Sequence, residues 1–374
     1  FTSTLTATSF NGIPFFTDGE SMYTHDVSGN GSYANALQNT AYGFTALDAI
    51  STGKYNTALG YGAGGAINTG QFNAAAGYKA LLTLSSGEKN TAFGAFSLAN
   101  VASGSYNTSL GYNALGAANG SESKNVAVGY EALSALDSAT ADNLNVAVGY
   151  EAGKAVTTGV ENAMLGSLAG DAITTGSYNA VLGTSALGAN VQSSGNVAIG
   201  NSALASHNTS TASSGYNIGI GFNAGISVST GTNNTIVGGL AGDGFTTGSD
   251  NVVLGYAALS AANAGNRSVA IGSSALNAQN AGSAGVNVYN TAVGYGAGAA
   301  VTTGGENTII GAFTGDALTT GVQNVAIGNG ALGSETIKGK SVAIGYIALN
   351  AQTGAGSDSY NVAVGHSAGK LITT

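Results

Sequence analysis

The sequence predicts an all-β fold, a β-solenoid of about 19 rungs, and three observations predict it. A nine-residue unit, Asn-x-Ala-x-Gly-x-x-Ala-(Leu or Gly), recurs 19 times, from Asn39 to Asn361. Thirteen of the 18 spacings are 17 residues; the others are 18, 20, 21, 22 and 20. Within the unit, positions two and four are β-branched or aliphatic while three and five are small, the period-two alternation of a strand. A 17-residue unit cannot bury its own apolar face, but stacked units can.

Each part of the unit has a physical reading. Gly fills position five in every copy, among them Gly43, Gly129, Gly200, Gly272 and Gly345. A second Gly, three residues before the Asn, recurs in 11 copies, as in Thr158-Gly159 and Thr175-Gly176. Gly supplies turn conformations without a Cβ clash. The Asn side chains are expected to form an amide ladder at a corner, each bonded to the rungs above and below. The aliphatic fourth positions are expected to stack into an interior ladder. The small face, Ala at three and Gly at five, then either fits a tight coil or packs against other copies of the chain. At ~4.8 Å per rung the array would be a rod of roughly 90 Å.

Along the chain, residues 1–38 depart from the repeat and read as an N-terminal cap or connector. Phe1–Thr6 alternates like a strand, and Phe10-Asn11-Gly12-Ile13-Pro14-Phe15-Phe16 combines a turn with apolar cover. Residues 39–374 are the array. Position nine is Leu in 11 rungs and Gly in eight. From Asn145 the order is Gly, Gly, Leu, Leu, so four-rung superrepeats start at 145, 217, 290 and 361. Longer spacings fall just before each superrepeat, and their Ser, Asn, Thr and Gly content predicts surface loops near 205–216, 277–289 and 350–360.

Composition excludes several classes. There are 61 Gly, one Pro, no Cys and no Trp, so disulfide scaffolds, Cys-ligated metal sites and collagen are ruled out. Nine basic against 18 acidic residues leave a net charge of −9 and no phosphate-binding patch, so nucleic acid is not an expected partner. No apolar run is long enough to span a membrane. The chain starts at Phe1 and stops within a Thr-Thr turn, so a mature product or fragment of a longer parent is expected.

Catalytic chemistry is sparse. His25, His207 and His366 fall in the cap, an insertion and a rung surface, with no triad or metal spacing, and are read as solvated. Glu131 and Glu151 occupy the same position in adjacent rungs. They are either two exposed acids on a rod or a paired-carboxylate glycosidase site. Asp137 and Asp142 lack the spacing of a calcium loop. No catalytic residue, cofactor or metal is expected. Tyr61, Tyr112, Tyr130 and Tyr150 follow the position-five Gly. Tyr has a flat apolar face and a polar tip, so these either contact a ligand or stack between rungs. Leu168, Leu240 and Phe313 stand before a Gly-Asp turn and are either repeated exposed contact points or neighbours of an Asp that caps the turn.

Units such as Asn56-Thr57-Ala58-Leu59-Gly60-Tyr61 and Asn125-Val126-Ala127-Val128-Gly129-Tyr130 resemble the repeats of phage and bacterial tail-fibre-domain proteins. Ser268-Val269-Ala270-Ile271-Gly272 and Ser341-Val342-Ala343-Ile344-Gly345 are similar to the head repeats of trimeric autotransporter adhesins. The resemblance covers 39–374. The 17-residue coil is longer than typical adhesin head coils and fits the tail-fibre version better. It implies a homotrimer of left-handed β-rolls, extracellular on a cell surface or virion, that presents an attachment surface to a glycan or protein receptor. A self-assembling extracellular filament or matrix protein is the alternative. Ice binding by Thr ladders ranks lower, because insertions break the ladders.

Overall fold

The computed structural model describes residues 9–10, 13–14, 16–18, 21–23 and 36–372, except 119, 139–141, 210–213, 262–263 and 353–357. Phe1–Thr6, His25 and parts of three insertions lie outside the described residues. The chain divides into two compact units, Phe1–Tyr178 and Asn179–Thr374. Each is a parallel β-solenoid with one three-residue strand per rung, and no helix occurs among the described residues.

In the first unit, β1 (Ser9–Phe10) pairs antiparallel with β2 (Ile13–Pro14), and β3 (Phe16–Asp18) with β4 (Ser21–Tyr23). β4 joins β5 (Thr40–Tyr42) in parallel, Met22 opposite Thr40. From β5 the ladder runs to β12 (Ala163–Leu165), with Thr40 opposite Thr57, Ala41 opposite Ala58 and Tyr42 opposite Leu59 in its first step. The second unit carries 11 strands, β13 (Ala180–Leu182) to β23 (Val362–Val364), in the same register. The longer spacings do not shift it: Val126 still faces Val146 and Ile199 faces Ile220. Single bridges flank the longer spacings, Ser123–Asp142 and Ser194–Ser214 among them.

The strand faces are reversed from the sequence expectation. The third position points inward: Ala41, Ala127 and Ala270 are fully buried. The fourth position points out: Leu59, Leu110 and Leu182 are about half exposed. The expected interior ladder of fourth positions is therefore an exterior one, and the small residues at position three line the inside rather than facing other copies. The interior is too narrow for the alternative. Where Gly219 replaces the usual Ala, an added Cβ would lie 2.6 Å from Leu204 Cγ. The core is built from Ala at positions three and eight, Leu at nine and an aliphatic residue at 12, such as Ala46, Leu47 and Ile50 in the first rung.

Three left-handed residues per coil make it this tight. In the first rung they are Thr45 (φ 57°), Leu47 (φ 53°) and Tyr55 (φ 60°), at positions seven, nine and 17. Positions seven and nine have positive φ in all 19 rungs, as does the residue just before each Asn or Ser that opens a rung. A non-Gly residue there costs about 1 kcal/mol or more, so the coil holds its shape through contacts between rungs. Position nine thus alternates between the residue that relieves strain, Gly, and one that fills the core, Leu. Where it is Gly in two successive rungs, the third position enlarges: Met164 fills the space beside Gly153 and Gly170, Ile236 beside Gly225 and Gly242, and Ile309 beside Gly298 and Gly315. Superrepeats are two ways of filling one volume.

Position five requires Gly twice over. Gly129 has φ +138°, and a Cβ would sit 2.2 Å from the Gly149 carbonyl oxygen. Gly43, Gly200, Gly272 and Gly345 have φ between +127° and +139° with the same contact to the next rung at 2.3–2.4 Å.

The Asn ladder is present and buried. Asn56 N–H and Nδ2 both donate to Asn39 Oδ1 (2.9 and 3.1 Å), and Nδ2 also donates to the Gly70 carbonyl at 2.9 Å. Each amide therefore ties a coil to its neighbour and closes the coil on itself. Around the rest of the coil, backbone N–H groups bond to adjacent rungs, as in Gly60 to Tyr42, Gly62 to Phe44 and Leu47 to Ala63. A chain with this many N–H groups in ladders has little use for Pro.

Candidate functional site

Solenoid coils present their chemistry as lines, because each side chain repeats above its own kind. Three such lines deserve description: the outward strand face, an aromatic ladder beside it, and a polar line inside.

Positions two and four form the outward face. None of the 19 rungs places a charged residue at either position. Residues such as Val148, Leu165, Leu254 and Ile310 are 37–45% exposed, stacked at one rung spacing on an in-register sheet. Contiguous apolar surface of this kind marks contact with another apolar surface.

Across the Gly of position five stands the aromatic ladder. In the first unit it runs Phe44, Tyr61, Tyr78, Phe96, Tyr112, Tyr130 and Tyr150. Centroids are 5.3–6.0 Å apart, within the range for attractive ring pairs. Tyr112, Tyr130 and Tyr150 stack nearly parallel, at 11° and 9°. The rings cover each other's faces and turn edges and hydroxyls outward. In the second unit Phe313 makes an edge contact to Tyr295 at 5.2 Å. Leu168 and Leu240 occupy the left-handed seventh position and are half-buried, not exposed as expected. Of the adjoining Asp residues, Asp316 serves its turn and Asp243 bonds the next rung. The Asp316 carboxylate accepts from the N–H of Asp316 and Ala317, and burial, the larger influence, raises its pKa. Asp243 accepts from Ser260 Oγ at 2.5 Å.

Glu131 and Glu151 do come together, around one ammonium. Lys154 Nζ lies 2.7 Å from Glu131 Oε2 and 3.3 Å from Glu151 Oε2. Glu131 raises the pKa of the Tyr130 hydroxyl beside it and Glu151 that of Tyr150. These contacts hold the Glu151 carboxyl below its usual range, first through the Tyr150 hydrogen bond, and raise the Lys154 ammonium, first through Glu131. A glycosidase acid must keep its proton near neutrality; a lowered Glu151 beside a shared ammonium does the opposite. No cluster of three or more metal-ligating side chains occurs among the described residues.

Sequence reasoning missed the polar line inside. Position 12 is aliphatic in most rungs but Asn190, His207, Gln279, Glu335 and Gln352 in the second unit, all buried. Three of them splice the amide ladder where an insertion interrupts it. Gln279 Nε2 donates to Ser268 Oγ (3.0 Å) and its Oε1 accepts from Asn290 (2.9 Å). Gln352 joins Ser341 to Asn361 in the same way. His207 Nε2 meets Ser193 Oγ at 3.0 Å and Asn217 Nδ2 at 3.4 Å. His207 is therefore a core residue, not the solvated loop residue expected. Burial drives its imidazole down to about 4, partly opposed by the Ser229 backbone. The signal was available as a polar residue at an otherwise aliphatic position before each of the three long spacings of the second unit.

The chain matches no protein-family model and no curated protein. No helix among the described residues is long and apolar enough to cross a membrane.

Proposed function

We propose that this chain is a non-enzymatic structural fibre, an adhesin or tail-fibre-like shaft whose copies associate side by side as a homotrimer of left-handed β-rolls outside the cell. One observation carries the reading: the outward stripe at positions two and four, charge-free in every rung and aliphatic or aromatic at position four throughout except Ala76. Each rung repeats the same small apolar contact, so the stripe lets identical chains zip along their length, with the avidity of many equivalent contacts. The tail-fibre and trimeric-adhesin resemblance supplies the number three and the role, attachment of a virion or cell to a surface receptor, glycan or protein. The shared Lys154 contact supports the non-enzymatic part.

Sedimentation equilibrium tests the assembly. A discrete species of three times 36.1 kDa is expected, and Leu182→Asp with Leu254→Asp should dissociate it without loss of β signal. A monomer at micromolar concentration would sink the proposal. Polymers of unlimited length would instead favour the filament alternative. Binding of the trimer to intact cells, lost on dissociation, tests the attachment role.

A further inference from the structure

The aromatic ladder contains three Tyr–Tyr stacks of nearly equal geometry and graded surroundings. Tyr61 and Tyr78 stack at 5.5 Å and 16°. The residues after them are Gly62 and Lys79, and the Lys79 ammonium lies 5.2 Å from the Tyr78 ring centre. Tyr112 and Tyr130 stack at 5.5 Å and 11°, followed by Asn113 and Glu131. Tyr130 and Tyr150 stack at 5.4 Å and 9°, followed by Glu131 and Glu151. The three pairs thus carry no, one and two carboxylates. Every ring is about half exposed, so an oxidant can reach it.

Each phenol of the Tyr130–Tyr150 pair has a carboxylate next to it in sequence, and Lys154 lies against both carboxylates. Both phenols are raised in pKa, Tyr130 first by the charge of Glu131 and Tyr150 first by its bond to Glu151. They therefore stay protonated at neutral pH, and oxidising them requires somewhere for the proton to go. The carboxylate that follows each phenol in sequence is that acceptor.

We infer that Tyr130 and Tyr150 form a modification site at which a peroxidase-type one-electron oxidant, acting with peroxide, installs a dityrosine cross-link between adjacent rungs. Each phenol loses one electron to the oxidant and its hydroxyl proton to its own carboxylate, Glu131 or Glu151. The two ring radicals join through one carbon–carbon bond between the positions ortho to oxygen. The hydrogen on each joined carbon then returns to oxygen and restores the phenol. The pair gives up two electrons and two protons in all, and one hydrogen peroxide takes them to become two waters. The product staples rung 125 to rung 145 across the 20-residue spacing, where the Asn145 side-chain amide bonds Gly159 and only its backbone N–H bonds Asn125.

The test treats the folded full chain with a haem peroxidase and hydrogen peroxide, and maps cross-linked peptides by mass spectrometry in the single-chain band of a denaturing gel. The Tyr130–Tyr150 link should exceed the Tyr61–Tyr78 link by about tenfold or more, with Tyr112–Tyr130 between them. Glu131→Gln with Glu151→Gln should bring the first yield down to the second, and Tyr130→Phe should abolish it. Equal yields at the two outer pairs would overturn the inference, as would cross-links only between separate chains. So would a Gln double variant with unchanged circular dichroism and unchanged yield. If that variant does not fold, the ratio of the two pairs in the natural chain decides the matter alone.

Discussion

The two units share one coil and differ in what they spend on it. The first has a dry interior in its regular stretch, with Ile50, Ile67, Leu84 and Val101 at position 12, and a seven-ring aromatic ladder outside. The second puts Asn190, His207, Gln279, Glu335 and Gln352 at the same interior position. Outside, its aromatic contacts are isolated pairs, Tyr295–Phe313 and Tyr346–His366. The difference teaches that backbone pairing is common to all rungs, while their continuity is secured locally. Regular 17-residue rungs of the first unit use stacked rings and aliphatic side chains. Rungs followed by an insertion use buried amide or imidazole groups to carry the Asn ladder over the gap.

The largest predicted effect strikes what the units share. Gly129→Ala forces a Cβ onto the Gly149 carbonyl and strains φ, so a loss of roughly 3 kcal/mol or more is expected in urea denaturation. Gly282→Ala has positive φ but nothing within 4 Å, and should cost only about 1 kcal/mol. Equal losses at the two sites would show that strain, not contact between rungs, dictates position five.

Next comes the interchange of rung types. Met164→Ala should open a cavity beside Gly153 and Gly170 and cost about 3 kcal/mol. Adding Gly153→Leu should recover much of it, because Leu already occupies that backbone conformation at φ 47–53° in 11 other rungs. A double variant no better than Met164→Ala would break the idea that the superrepeat exchanges one filling for another.

A comparable effect separates the units by pH. Unfolded His207 takes a proton near pH 6.5, whereas the folded chain refuses it until about 4. Its contribution is therefore complete above about 6.5 and is lost as pH falls toward 4, by up to about 3 kcal/mol. His207→Gln copies the splice used at 279 and 352 and should flatten the difference in stability between pH 7 and 4.5. An unchanged slope would place the acid sensitivity elsewhere. The smallest effect is expected at the surface: Tyr112→Ala removes two ring contacts and should cost about 1–2 kcal/mol, measured by thermal melting.

Much of this was legible in advance. The 17-residue period, the Asn ladder and the surface insertions could be read because each rests on one residue type at one spacing. The strand was legible but its orientation was not. Val126, Ala127 and Val128 alternate large and small, and hydrophobicity alone places the large residues inside. Position nine did carry a clue to its backbone, since only a left-handed site exchanges Leu with Gly so freely. Positions seven and 17 carried none, because Thr45, Glu131, Tyr55 and Lys89 have no common feature that announces positive φ.

The amino-acid sequence by itself determined the repeat, its strand and the glycines that let rungs approach. Those features depend on local chemistry, β-propensity and the absence of a Cβ, which act wherever the residues stand. Only the tertiary structure decided which face of the strand is interior. That choice depends on the width of the closed coil, set by three left-handed residues per rung, and the coil admits Ala where it excludes Leu. The same closure put the small third-position residues inside and left the aliphatic fourth-position ones outside.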